Sequence, residues 1–377
     1  MNIEITTVPK TRRAVGEFVR FGIDIYNDNP CFVPPLIFDE IDNFMPDKNP
    51  AYEFCEAELF MARVDGKPVG KIAVIINHKV NERTGKKEAR FSAIDFIDVP
   101  EVYDALMDAA EAWARSKGMT EMIGPMGFTD MDHEGMLIDG FDEMGTMATI
   151  YNHAYYPAHM ERRGYAKDVD WVEYKMTVPD KVPDKYLRIA EIVRRKYNLR
   201  CLRYKSITRL KNQYGEALFH LINRAYDDLY GYSPLTDRQI KYYIGKYLAV
   251  LRTDCICVIV DKDDTLVGVG ISLPSLSKAL RACRGRLFPT GWFHILRALK
   301  AHNDVVDLML VAISPEYQNK GVNALLFADL LPNYIRNGYR YAESNLELEG
   351  NSAVQLQWQY FDRRLHRRRR AYRKPLL

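Results

Sequence analysis

Two widely separated stretches of this chain follow one plan. Around Val64-Asp65 and Val69-Gly70, and again around Val260-Asp261 and Val267-Gly268, a short polar turn separates two apolar runs: 59–64 with 69–76, and 256–260 with 266–273. This is the pattern of a β-hairpin. A further apolar strand follows each hairpin, 90–97 in one half and 305–313 in the other. Next comes a helix that stops at a glycine, Gly118 or Gly338. A repeated order of hairpin, strand and helix requires a sheet in each half. The expected class is therefore α/β (α+β), with two tandem domains, each a mixed central sheet flanked by helices. Pro179 and Pro183 mark the boundary, giving domains 1–180 and 181–377. A length of 377 residues lets either half bury its own core.

The remaining segments fill in this scheme. A helix is expected over 11–26, then an irregular Pro-rich stretch over 29–50. A Gly/Asp/Met-rich loop over 124–149 precedes a helix over 153–163 and a strand over 171–178. In the second half a strand over 199–207 leads into helices running to 251. A helical insertion over 277–302 interrupts the repeat, and Pro332 should kink or restart the helix that ends at Gly338. A strand over 340–346, a short helix over 351–360 and a basic final strand complete the chain.

Composition narrows the class further. With 47% hydrophobic and 27% charged residues the chain reads as globular. It has no apolar run long enough to span a bilayer, and the first residues lack the charged and apolar regions of a signal peptide, so the expected location is cytoplasmic. Six scattered cysteines fit reduced thiols, and no metal-ligand spacing stands out. Net charge is +3, but 363–374 alone holds eight Arg or Lys and no acid, which leaves the remainder net acidic. Whole-surface attraction to nucleic acid is thus unsupported, and only a local basic patch could provide it. As a terminal strand that run reads as a solvated edge, guarded by charge against edge pairing.

The segment 305–323 carries the most chemistry. An apolar, β-branched strand ends at Ser314-Pro315, and Gln318-Asn319-Lys320-Gly321-Val322-Asn323 leads straight into an apolar helix. The first turn of a helix offers unpaired N–H groups and partial positive charge to an anion. Gly321 lets backbone approach a phosphate, Lys320 adds a movable charge, and Gln318 can brace the loop. An ordinary βα connection would have the same outline.

Order and motif together make 199–374 resemble the acyl-CoA-dependent N-acyltransferase superfamily called GNAT. That family has a loop of the form Gln/Arg-x-x-Gly-x-Gly/Ala after its fourth strand, matched here by 318–323, with Asn323 departing at the last place. The resemblance implies an acyl-CoA co-substrate, acetyl-CoA by default, and no metal. It also implies backbone contacts to the pantetheine arm at Val311, Ala312 and Ile313, and amide contacts from Asn345 and Asn351. The acceptor would be a small-molecule or peptide amine. Asp307 matches the strand position of a glutamate base in one branch of the family, with Glu343 and Glu347 as alternative bases. The usual acid is a tyrosine seven residues beyond the place of Asn351, where this chain has Trp358; Tyr360 and Tyr372 are the nearby substitutes.

The first half resembles a GNAT domain in element order, and the whole chain is similar to a bacterial family of tandem GNAT-like proteins. Its counterpart loop, Phe96-Ile97-Asp98-Val99-Pro100-Glu101-Val102, has no glycine and two acids, so this half is expected to shape the substrate site without holding CoA. Asp130, Asp132, His133, Glu134, Tyr155 and Tyr156 are candidates to receive a cationic amine. Asp130 to Gly135 begins like a calcium loop, but Phe141 stands where a glutamate is needed. In the insertion, Arg281, Arg284, Arg286, Arg297 and Lys300 stand among Leu287, Phe288, Trp292, Phe293, Ile295 and Leu296. That composition could lie on a membrane, but a lid over the acceptor slot is the simpler reading. Two other functions stay open: a non-catalytic CoA-binding protein, suggested by Trp358 and Asn323, and an aminoacyl-tRNA-dependent transferase, suggested by the arginine run. Oligomeric state is not legible.

Overall fold

The computed structural model describes residues 1–248, 251–300 and 303–376, with only the backbone of Ser352 and Ala353. The expected ends of the helical stretch at 251 and of the insertion at 302 run through residues outside these. The chain forms two compact units that are discontinuous in sequence. The first holds Met1–Val172, Ser277–Ile295 and His366–Leu377; the second holds Glu173–Leu276 and Leu296–Leu365.

In the first unit the elements are β1 (Glu4–Thr7), α1 (Arg12–Asp24), α2 (Ile37–Asn43), β2 (Cys55–Val64), β3 (Lys67–Asn77), α3 (His78–Thr84), β4 (Glu88–Phe96), α4 (Pro100–Ser116), β5 (Glu121–Gly124), β6 (Met136–Asp139), α5 (Tyr156–Arg162) and the start of β7 (Ala166–Thr177). Strands β1 to β4 pair antiparallel in order, and the crossover through α4 makes β4 and β5 parallel. Pro100 opens α4, where its missing N–H costs nothing. Val102, Leu106 and Ala110, spaced along one face, are fully buried. A Cβ at Gly70 of β3 would lie 2.7 Å from Leu106 Cδ1, so glycine is what lets α4 lie this close to the sheet. Each large side chain so buried contributes about 1.5–3 kcal/mol.

The second unit contains α6 (Asp184–Tyr197), β8 (Arg200–Leu202), α7 (Ile207–Ala225), α8 (Asp237–Tyr247), β9 (Ile256–Val260) and β10 (Leu266–Pro274). After the insertion helices α9 (Ser277–Cys283) and α10 (Gly291–Lys300) come β11 (Val305–Ile313), α11 (Asn323–Arg336), β12 (Tyr341–Ser344), β13 (Glu347–Leu348), α12 (Ser352–Gln355) and β14 (Arg363–Pro375). The order across its sheet is β7-β12-β11-β10-β9-β8, with β11 and β12 parallel and their neighbours antiparallel. The hairpin, strand, crossover helix and parallel strand of the first unit therefore recur here. Pro332 does not restart α11, which runs through it as one helix. Strand β8 is shorter than expected, ending at Leu202, and α7 begins at Ile207 after the cap residue Ser206.

The basic run is not a solvated edge. Within the first unit, Arg368–Arg370 of β14 pair with β6, and Tyr372–Pro375 pair with β5. Arg367 and Arg369 are 1% and 0% exposed. They face inward because backbone carbonyls await them, Met144 for Arg367 and Ile150 for Arg369. The outward cations are matched by carboxylates: Arg370 holds Asp170 at 2.8 Å, Arg373 bridges Glu88 and Asp168, and Lys374 reaches Glu111 at 3.0 Å. Sequence shows the charge but not the acids brought to it, so the feature that suggested tRNA is absorbed into the fold.

Candidate active site

The second unit builds an opening in its own sheet. Parallel pairing of β11 with β12 covers only Val305–Leu308 against Tyr341–Ser344, although β11 continues to Ile313. On its other edge β11 stays paired with β10, through a register shift that sets Ile271 opposite Leu310 and Ser272 opposite Leu308. Met309 is the extra residue of that bulge, and bulges bend strands. Past Met309 the two parallel strands part. Asn345 Nδ2 donates to the Met309 carbonyl at 3.2 Å, while its Oδ1 is buried without a partner among the described residues. The Tyr226 hydroxyl donates to the Val311 carbonyl at 2.8 Å, a contact not legible in the sequence.

The loop after β11 has the features of an anion cradle. Asn319 and Gly321 both adopt positive φ, 59° and 77°. Among the described residues, the N–H groups of Asn319, Lys320, Gly321 and Val322 enter no backbone hydrogen bond, and α11 begins at Asn323. Successive outward N–H groups at a helix start attract phosphate. Gln318 Nε2 donates to the Ile313 carbonyl at 3.1 Å and so braces the loop against the strand. Lys320 Nζ lies 5.6 Å from the ring centres of Tyr197 and Tyr317, held near the loop but exposed. At Gly321 a Cβ would come within 3.3 Å of Ile189 and 3.4 Å of Val193, so a larger residue would strain φ and press on α6. Asn323 points inward with a buried Oδ1 that has no partner among the described residues. Asn351 caps α12, accepting the Val354 N–H at 3.3 Å.

A narrow apolar cleft of about 50 Å³ borders the opening, lined by Leu308, Val311, Leu326, Phe327, Leu330 and Trp358, with Gly270 also at its wall. Titratable groups lie on two sides of the sheet. Asp307 is 3% exposed and stands in register with Leu273 on β10 and Glu343 on β12. Glu343 is in turn opposite Lys175, whose Nζ is 3.2 Å away. Registered partners share a face, so Asp307, Glu343 and Lys175 form one charged row across three strands.

Glu347 is different. Burial pushes its carboxyl up to about 7, against opposing hydrogen bonds from Trp358 and Ser344. Trp358 Nε1 donates to Oε1 at 2.7 Å, while Oε2 has no partner among the described residues. Tyr360 is exposed, its hydroxyl engaged by Lys185 Nζ; Tyr372 lies buried in the first unit. The tryptophan that breaks the family pattern thus has a definite task, which the sequence did not disclose.

In the first unit the corresponding strand end is occupied by its own side chains. Strand β4 pairs with β5 only over Glu88–Arg90. Beyond that, the Phe91 carbonyl accepts the Met126 N–H, and Arg90 Nη1 donates to the Gly127 carbonyl at 3.1 Å. The Phe96 N–H donates to the Tyr156 hydroxyl at 3.0 Å, and the Phe96 carbonyl accepts from Tyr155. Tyr156 is fully buried and stacks on Phe96 at 4.3 Å. Its hydroxyl also meets that of Tyr26, which donates to Asp95 at 2.6 Å, and Asp95 is paired with Lys71 at 3.2 Å. Thr129 N–H donates to Asp132, and His133 Nε2 contacts the Met147 carbonyl at 3.0 Å. Burial and the neighbouring Asp130 raise Glu134 well above the usual carboxylate range. Glu40 is raised by burial and feels His133 and Lys71, so it joins these candidates to the Asp95 network. Sequence reasoning missed Glu40, Lys71 and Asp95 because they come from three different elements.

A strand that parts from its parallel neighbour and feeds a phosphate-type loop, within a scheme present twice, defines the tandem GNAT fold, and this chain has it. The full chain superposes on a solved tandem GNAT protein from the clavulanic acid biosynthesis pathway with a TM-score of 0.58, at 12% identity and covering 99% of that protein. A probable N-acyltransferase from Enterococcus faecalis V583 gives a TM-score of 0.52 at 7% identity, with 100% of this chain and 73% of that one aligned. No family model matches. In sequence the chain is 28% identical to Protein YghO of Escherichia coli K12 over 95% of its own length and 92% of that protein's. It is 27% identical to the bacterial ceramide synthase of Caulobacter vibrioides over 79% of its length and 77% of the relative's. No helix among the described residues is long and apolar enough to cross a membrane.

Proposed function

We propose that this protein is an acyl-CoA-dependent N-acyltransferase whose second unit holds the donor. The observation that carries the reading is the parting of β11 and β12 directly ahead of the Gly321 loop. One anion site and one apolar slot are thereby strung along a single strand. The loop N–H groups and Lys320 would take the pyrophosphate. Val311, Ala312 and Ile313 with Asn345 and Asn351 would flank the pantetheine arm. The first unit, where Tyr155 and Tyr156 occupy the strand end that a pantetheine would use, would hold no CoA, and its Asp130, Asp132, His133 and Glu134 would receive a cationic amine.

Glu347 is assigned the base, since a carboxyl near 7 with an uncommitted oxygen can accept a proton at neutral pH. The neutral amine attacks the thioester carbon, the C–S bond breaks as the C–N bond forms, and the amine proton passes to Glu347. The thiolate then leaves as CoA and regains a proton from the same group. Asp307 and Glu343 set the field of the opposite face.

The relative named ceramide synthase supports a fatty acyl donor over acetyl, and the apolar lining of the cleft is compatible with hydrocarbon. A ceramide is a fatty amide of a long-chain amino alcohol. The proposed reaction is therefore transfer of a fatty acyl group to the amine of such an amphiphile. The test is release of free CoA thiol by the purified protein, with acetyl-, octanoyl- and palmitoyl-CoA each paired with a long-chain amino alcohol and with a water-soluble amine. Thiol release with no pair would sink the reading. A second reading rests on Trp358: with a committed indole where the family has an acidic hydroxyl, the chain would bind CoA without turnover. Thermal protection by CoA with no thiol release would favour it.

A further inference from the structure

The insertion carries an exposed apolar patch that the acyl-transfer reading does not use. Of the twelve large hydrophobic residues exposed among the described residues, four fall within 288–296: Phe288 at 75%, Trp292 at 45%, Phe293 at 53% and Leu296 at 42%. Monomeric surfaces scatter such residues singly, and a cluster marks a contact surface. Spacing in α10 puts Trp292 and Leu296 on one side with Phe293 beside them, and that side is exposed as far as Leu296 before Leu299, one turn on, is buried. Trp292 Nε1 donates to the Pro289 carbonyl at 2.9 Å, which satisfies its polar atom and fixes the ring where it stands. The base of the segment is pinned to the first unit: the Gly285 carbonyl accepts the Ile37 N–H at 2.9 Å, and Ser277 Oγ donates to the Gly145 carbonyl at 3.0 Å.

Charge decides what the patch faces. Residues 277–300 contain six Lys or Arg and no Asp or Glu, in a chain with 50 acids. Arg284, Arg286, Arg297 and Lys300 are exposed, and among the described residues they enter no salt bridge. Aromatic and aliphatic side chains bordered by cations suit the interface of a bilayer with anionic headgroups, where rings sit at headgroup depth and cations meet phosphate. A second copy of the same patch would set these cations against each other with no acid between them. Single-stranded nucleic acid would use the rings and arginines, but gives Leu296 nothing to stack on.

We infer that Phe288, Trp292, Phe293 and Leu296, with Arg284, Arg286, Arg297 and Lys300 around them, dock the protein peripherally on an anionic lipid bilayer. The docking does not depend on the acyl-transfer assignment. The test is cosedimentation of the full chain with sucrose-loaded vesicles of phosphatidylcholine, alone or enriched in phosphatidylglycerol. The wild type is expected to pellet with the anionic vesicles and about tenfold less with the neutral ones, with binding weakened as salt rises. The triple variant Phe288→Ser, Trp292→Ser, Phe293→Ser should lose pelleting while keeping the wild-type melting temperature, since it removes only exposed side chains. Should that variant misfold, Arg284→Glu with Arg286→Glu gives the same readout from the charge side. Absence of pelleting, or equal pelleting of both variants and the wild type, would overturn the inference. So would a wild-type dimer in sedimentation velocity that the triple variant dissolves, or competition by single-stranded RNA as strong as that by lipid.

Discussion

Trp358 donates its indole N–H to Glu347 Oε1 at 2.7 Å, and burial pushes that carboxyl up to about 7. The tryptophan shields one oxygen and leaves the other for a proton. Stability should depend on pH accordingly. From the ordinary carboxylate range up to about 7 the unfolded chain has lost this proton while the folded chain keeps it, so folding weakens as pH rises through that window. The loss totals about 3 kcal/mol at most and levels off above it. Urea melts of the wild type and Glu347→Gln across the window check this; the variant should lack this component of the slope.

The same group sets the pH profile of the proposed reaction. The wild-type kcat/KM should rise through about 7, and Glu347→Gln should lower it by about 10²–10⁴-fold and flatten the limb. Asp307→Asn, on the charged row, should leave the limb in place. Should Asp307→Asn remove the limb and Glu347→Gln keep it, the two roles exchange.

At the anion loop, Gly321→Glu brings negative charge and strained φ to the point where phosphate would lie. CoA at a hundred times its dissociation constant should stabilise the wild type by about 2.7 kcal/mol and the variant by almost nothing. Thermal shift with and without CoA measures the difference.

Gly270 borders the apolar cleft, and a Cβ there would sit 3.3 Å from both Leu326 and Leu330. Gly270→Val should shrink the space at a stability cost of about 1–3 kcal/mol. Thiol release from palmitoyl-CoA should fall well below that from acetyl-CoA. Parallel losses for both donors would place the acyl chain elsewhere.

Arg369 gives its guanidinium to the Ile150 carbonyl inside the first unit. Arg369→Met keeps most of the length but leaves that carbonyl without its donor. Chemical denaturation should show a loss of about 1–3 kcal/mol.

Periodicity and turns were enough for the duplicated hairpins and crossover helices, because each rests on residues close in sequence: Gly118, Gly338, Pro100 and the turn at Asp65-Gly66. The Gln318–Asn323 loop was legible for the same reason. What depends on distant partners was not. The run Arg367–Arg370 looked like solvent-facing charge because Met144, Ile150 and Asp170 lie some two hundred residues earlier. Trp358 looked like a defect in a motif because its partner, Glu347, was considered only as a separate base. Tyr156 looked like a ligand-binding group, and the structure places it in the core with its hydroxyl on Phe96. Met309 gave no sign of the bulge at which β11 and β12 part.

The placement of β14, far along the chain from its partners, bears on how the protein is made. Residues 366–375 supply a strand to the first unit, and Lys374 and Arg373 neutralise carboxylates that were translated far earlier. The amino-terminal unit therefore cannot finish its sheet until this distant strand has been made, although Glu88, Glu111 and Asp170 already have nearer cations in Lys86, Arg163 and Lys167. Truncation just before His366 should harm the first unit more than the segment just before the cut.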